Sequence, residues 1–102
     1  MRRTFKPRLT RPEDFDVFWE STRKQLEQLD PAVERHADPA SPRGGIHAET
    51  VSFISLGQVR VSAYLLHWDD DQPRPLVIHS HGYGGQCRRR WDWARQGVNV
   101  LG

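Results

Sequence analysis

Residues Leu76-Val77-Ile78-His79-Ser80 form a short, mostly apolar run that passes directly into His81-Gly82-Tyr83-Gly84-Gly85. No other part of the 102-residue chain restricts the fold as much. A continuous apolar run, unlike an alternating one, predicts a strand of the buried, parallel kind. Glycines at 82, 84 and 85 permit a tight reversal with backbone angles closed to other residues. Beyond the turn, Cys87 to Gln96 carries Trp91 and Ala94 on one side and predicts a helix, with Gly97 suited to its C′ position. Val98-Asn99-Val100-Leu101 then predicts another strand. Strand, glycine turn, helix and strand begin a βαβ unit, so the expected fold class is α/β with a parallel sheet.

Upstream, residues 1–9 read as an extended basic arm and residues 10–30 as a helix. Thr10 and Glu13 form a capping-box pattern, with Pro12 in the first turn. Phe15, Phe18, Trp19, Thr22, Leu26 and Leu29 recur at helical spacing and give one apolar face. Asp30-Pro31 ends it. Residues 31–49, with Pro31, Pro39, Pro42 and Gly44-Gly45, read as an irregular linker. Glu49 to Ile54 and Val59 to Trp68 predict an antiparallel hairpin turned at Ser55-Leu56-Gly57-Gln58. Within its second strand, Val59, Val61, Ala63 and Leu65 share one face, and Arg60, Ser62, Tyr64 and Leu66 share the other. The expected organisation is one partial domain, 1–102, with the sheet beginning at residue 50.

A formal net charge of +2 does not argue for a nucleic-acid partner, and the 15 basic residues are dispersed apart from Arg88-Arg89-Arg90. That run reads as a solvated helix start or a partner contact. The single Cys87 excludes an internal disulfide and fits a reducing compartment. No apolar h-region follows Met1-Arg2-Arg3, and no stretch approaches the roughly 18 apolar residues of a membrane span. The expectation is a cytoplasmic protein without membrane or nucleic-acid partners.

Several chemistries compete for the segment 79–85. Gly82-x-Gly84 begins a dinucleotide fingerprint, but Cys87 stands where its last glycine belongs. His79 and His81, two apart at a strand end, can face one metal ion, although no further His or carboxylate follows nearby. Ser80 as a nucleophile fails, because a Gly-x-Ser-x-Gly elbow needs glycine at 78, which is Ile. An oxyanion loop accounts for most of the residues. The N–H of Tyr83 would face a carbonyl under attack, with Gly82 and Gly84 beside it and His81 and Gly85 supporting the loop. The plain alternative is a glycine-rich turn without chemistry.

These residues resemble the cephalosporin-C deacetylase and acetylxylan esterase family of α/β-hydrolases. Phe18-Trp19-Glu20-Ser21-Thr22 is similar to the family's Phe-Trp-x-x-Thr stretch. The hairpin from Val51-Ser52-Phe53 through Val61-x-Ala63-Tyr64-Leu65 is similar as well. His81-Gly82-Tyr83-Gly84-Gly85 matches the family's His-Gly-Tyr-Gly-Gly motif and is followed by Trp93-Ala94-x-x-Gly97.

The resemblance implies the N-terminal part of an α/β-hydrolase fold: an N-terminal helix, an antiparallel hairpin, and the start of a parallel sheet with one crossover helix. It implies hydrolysis of acetyl esters on sugars and small molecules without metal or organic cofactor, and association into homo-oligomers. It also implies that the main chain of Tyr83 supplies an oxyanion N–H, with its ring lining the acyl pocket. The family's Gly-x-Ser-Gln-Gly elbow, its Asp and its His-Glu do not occur in these 102 residues, so no residue is assigned to a triad. The chain is therefore expected to be the N-terminal portion of a longer esterase, or a truncated product, and inactive alone. A non-catalytic module docking on an intact esterase is the alternative of a different class, and a metal-dependent hydrolase using His79 and His81 is a third.

Overall fold

The protein is described from a computed structural model, which covers Thr4, Lys6, Arg8 and residues 10–102. The arm expected over residues 1–9 falls largely outside the described residues. The chain divides into two compact units, Met1–Asp30 and Pro31–Gly102.

The first unit contains α1 (Phe15–Glu27), 13 residues long. It is shorter than the expected 10–30 because the capping box does not form. Asp14 occupies the N-cap position without a side-chain cap, and the Phe15 N–H goes to Pro12 O at 3.2 Å, leaving Pro12 in a turn before the helix. Inside the helix, Glu20 pairs with Lys24 one turn on at 3.5 Å, and Thr22 Oγ1 donates to Phe18 O at 2.8 Å. The guanidinium of Arg11 lies 4.3 Å above the Phe15 ring and pairs with Asp16.

The second unit is a five-stranded sheet. Its strands are β1 (Glu34–Ala37), β2 (Ile46–Ser55), β3 (Val59–Trp68), β4 (Leu76–Ile78) and β5 (Asn99–Leu101), in the order β1-β2-β3-β5-β4. β2 and β3 form the expected hairpin, paired from Ser55↔Val59 to Ile46↔Trp68. It begins three residues earlier than the sequence suggests. Gly57 takes φ 73° in the single 3₁₀ turn that reverses it, a left-handed value suited to glycine.

The linker reading of 31–49 is corrected, since β1 lies within it and pairs antiparallel with β2. All four β1 residues are exposed. With no face to bury, Glu-Arg-His-Ala carries no alternating apolar signal. Its pairing is reinforced by side chains instead: Arg35 bonds both carboxylate oxygens of Glu49, and Arg60 lies 3.6 Å from Glu34.

The second expected helix also contracts. α2 spans only Trp91–Ala94, with Arg90 at the N-cap position at φ −91°, ψ 67° and no side-chain cap. Gly97 takes φ 100° and donates its N–H to Ala94 O at 2.9 Å, which turns the chain into β5. β5 pairs parallel with β4 (Val77↔Val100) and antiparallel with β3 (Leu66↔Val100), so the later strand lies between two earlier ones. β4 is not buried as expected. It forms the edge of the sheet, with Leu76 52% and Ile78 75% exposed.

One face of the sheet carries the main buried cluster, while Val51 is buried on the other. Ile46, Ala48, Tyr64, Leu66, Ala94 and Val100 form that cluster, with Trp68, Trp91, Trp93, Cys87 and Val98 packed around them. The Trp68 indole N–H donates to Ala94 O at 2.9 Å, which fixes α2 to the end of β3 and satisfies a donor that burial would otherwise penalise.

Candidate functional site

The glycine motif follows directly from β4. His79 extends the parallel ladder one step past the strand, its N–H bonded to Leu101 O at 2.7 Å. The chain then leaves the sheet and reverses over Gly82-Tyr83-Gly84-Gly85, closed by Gly85 N–H on Gly82 O at 2.9 Å. Gly84 has φ 71°, the positive angle that the third residue of a type II turn requires.

The other two glycines have different roles. A Cβ at Gly85 would approach Gly82 O to 3.1 Å, so the turn's own closure keeps that position small. At Gly82 an added Cβ meets nothing within 4 Å, and its φ is not positive. Only one of the three glycines therefore sits in the conformation that led to their being read together.

Tyr83 lies at the apex. Its ring is fully exposed, and its N–H donates to no backbone acceptor among the described residues. The turn bond uses only the Gly82 carbonyl and the Gly85 amide, leaving the Tyr83 donor free for a ligand. His81 folds back on the loop with Nδ1 2.8 Å from Gly82 O. A carbonyl can only accept, so Nδ1 carries the proton in this contact.

The rings of His79 and His81 take different partners. The strand ends at Ile78, so the alternation that would place their rings side by side no longer applies. The His79 ring meets Trp93 edge-on at 5.1 Å between centroids, whereas His81 turns to its own loop. Among the described residues, no group of three or more His, Cys, Asp or Glu side chains is placed to hold a metal ion.

The arginine run is divided between tasks. Arg89 pairs with Asp38 at 2.7 Å, joining the segment after the loop to the β1–β2 connection. Arg90 bonds Asp92 at 2.8 Å and stacks 3.9 Å above the Trp93 ring. This guanidinium holds the Asp92 carboxyl down to about 2. Asp38 is a partner that the sequence pattern did not indicate, because it meets the loop segment from another element.

A cleft of about 270 Å³ opens beside the start of the loop, with Phe53, Val61, Ala63 and Leu101 on its apolar side and His79, Ser80 and His81 at its margin. Away from the site, His47 and His67 stack at 5.5 Å, and His67 lies 2.8 Å from Glu49. Among the described residues, no helix is long and apolar enough to cross a membrane.

The family described as acetyl xylan esterase (AXE1) matches residues 2–102. The fold is similar to that of an acetyl xylan esterase from Paenibacillus sp. R4, with a TM-score of 0.81 at 23% identity over 96% of this chain and 33% of that one. It is also similar to acetyl xylan esterase 1 from Thermoanaerobacterium sp. JW/SL YS485, with a TM-score of 0.78 at 22% identity, covering 88% of this chain and 29% of that one. The chain thus spans about a third of the length of these structures. At such identities the likeness is one of fold.

Proposed function

The chain belongs to the acetyl xylan esterase family, and from that premise we propose that it carries the oxyanion-stabilising loop of a carboxyl-ester hydrolase acting on acetylated sugars or small molecules. The observation that carries this reading is the unspent N–H of Tyr83 at the apex of the 82–85 turn. When a nucleophile adds to an acetyl carbonyl, the oxygen becomes an alkoxide. A rigid N–H that already points at that oxygen stabilises it without reorganising. One such donor typically contributes about 10²- to 10³-fold in rate, or roughly 3–4 kcal/mol. Gly84 holds the turn, and the His81 and Gly85 donors on Gly82 O fix its base, so the donor is set before substrate arrives.

These 102 residues contain no Gly-x-Ser-x-Gly stretch. On this reading they do not hydrolyse esters unaided, and the attacking serine comes from other polypeptide. The test is a chimera in which residues 10–102 replace the corresponding segment of the Paenibacillus esterase. Hydrolysis of p-nitrophenyl acetate should appear in the chimera and fall about 10²- to 10³-fold in Tyr83→Pro, which lacks the N–H. Tyr83→Phe should retain the rate, because the donor is main chain. Equal rates for Tyr83→Pro and the parent chimera would refute the proposal. Turnover by the 102-residue chain alone, above its own Tyr83→Pro control, would refute the inactivity.

A further inference from the structure

Tyr64 on β3 is 5% exposed, and its hydroxyl lies beside His79, where the loop leaves the sheet. Its backbone pairs with Gly102 through two bonds, Tyr64 N–H to Gly102 O at 2.8 Å and Gly102 N–H to Tyr64 O at 3.0 Å. The ring covers the space a side chain at 102 would need: a Cβ built there would lie 2.5 Å from Tyr64 Cζ and 2.7 Å from its hydroxyl oxygen. Glycine at 102 therefore lets the phenol lie flat across β5 and reach the far side.

There the hydroxyl comes within 3.4 Å of His79 Nδ1, on the last residue bonded to the sheet before the loop. In this contact the phenol O–H donates to Nδ1. Burial is the largest influence on this hydroxyl and pushes its pKa up, so it retains its proton. His79 is held from two further sides: its carbonyl accepts from Cys87 Sγ at 3.6 Å, and its ring rests against Trp93.

We propose that Tyr64 is a positioning residue for the 82–85 turn. Its hydroxyl ties His79, where the loop leaves the sheet, to β3, and Gly102 makes room for the ring. The inference rests on the oxyanion reading for its consequence, but the clamp itself is measurable without any chemistry.

The 102-residue chain is labelled with ¹⁵N, and wild type, Tyr64→Phe and Gly102→Ala are compared by NMR. Tyr64→Phe keeps the buried ring and removes only the hydroxyl. The wild-type His79 ring should carry its proton on Nε2, with Nδ1 accepting, and should lose that tautomer preference in Tyr64→Phe. Exchange of the His79 and Gly85 amides should quicken about tenfold, the effect of one ordinary hydrogen bond. The Leu66 and Val100 amides should not change. Gly102→Ala retains the hydroxyl but displaces the ring, so it should loosen the same two amides. If it unfolds the chain, Tyr64→Phe decides alone.

An unchanged His79 tautomer together with unchanged loop exchange in Tyr64→Phe would overturn the proposal. In the chimera, Tyr64→Phe should lower kcat with little change in KM. If Tyr83→Pro has no effect there while Tyr64→Phe still loosens the loop, the oxyanion reading fails and the clamp stands.

Discussion

Replacing Leu66 with Ala tests which face of the sheet holds the protein together. Leu66 is 0% exposed near the end of β3 and belongs to a buried cluster of six residues among those described. Truncating a fully buried leucine costs about 2–5 kcal/mol, from lost transfer free energy and from the cavity that remains. The neighbours here are two backbone-bonded strands and the Ala94 turn, which have little freedom to collapse inward, so roughly 3 kcal/mol is expected. That is a large share of the ~5–15 kcal/mol that stabilises an ordinary domain. At ~4–8 °C per kcal/mol for a unit of this size, Tm should fall by roughly 12–24 °C.

The control is Val61→Ala on the opposite face of the same strand, where the side chain is only partly buried. Its loss should stay below about 1 kcal/mol. Urea unfolding followed by tryptophan fluorescence reads both, since Trp68, Trp91 and Trp93 all pack against the core. The m-value should be unchanged, so midpoints compare directly. Equal costs for the two substitutions would refute the placing of the main cluster on the Leu66 face.

Three further outcomes follow from individual contacts. Glu49 is held below its ordinary value of 4.5, first by its hydrogen bond from Arg35 and further by the neighbouring His67, against an opposing effect of burial. Its folded-state pKa is depressed, so its contribution is complete above pH 4.5 and is lost as pH falls through the lowered value. Glu49→Gln should flatten that part of an acid-unfolding curve. Gly84→Ala places a side chain at φ 71° with nothing to clash with, so the cost should be the backbone term alone, about 1–2 kcal/mol. Gly82→Ala should change stability by less than ~0.5 kcal/mol, and denaturant midpoints distinguish the two. Asp38 accepts from the Ala40 N–H at 2.8 Å and from Arg89 at 2.7 Å, so Asp38→Ala should cost about 1–3 kcal/mol. Asp38→Asn keeps the Ala40 bond and should cost less in the same unfolding assay.

Local chemistry made several elements readable in the amino-acid order. The alternation of Val59 to Trp68 marks a strand in any context, the 3.6 spacing of Phe15, Phe18, Trp19 and Leu26 marks a helix, and Gly84 marks a reversal. These signals depend on near neighbours and hold before any distant contact forms. They mislead where the pattern suggests more than the packing uses. The Thr10–Glu13 cap gives way to a Pro12 turn, and most of the expected 87–96 helix unwinds, leaving only Trp91–Ala94. β1 was not legible because an exposed edge strand buries nothing, and its partner Glu49 lies 14 residues away from Arg35.

The amino-acid order by itself determined the α/β class, the hairpin, and a glycine turn placed after a strand. Tertiary structure alone decided that β5 inserts between β3 and β4, and that the main buried cluster lies on the Tyr64–Leu66 face and not on that of Val59 and Val61. It alone also brought the Tyr64 hydroxyl to His79. The physical reason is that burial and hydrogen-bond partnership are properties of pairs brought together by folding, and the chain's linear pattern records only what each residue offers to such a pair.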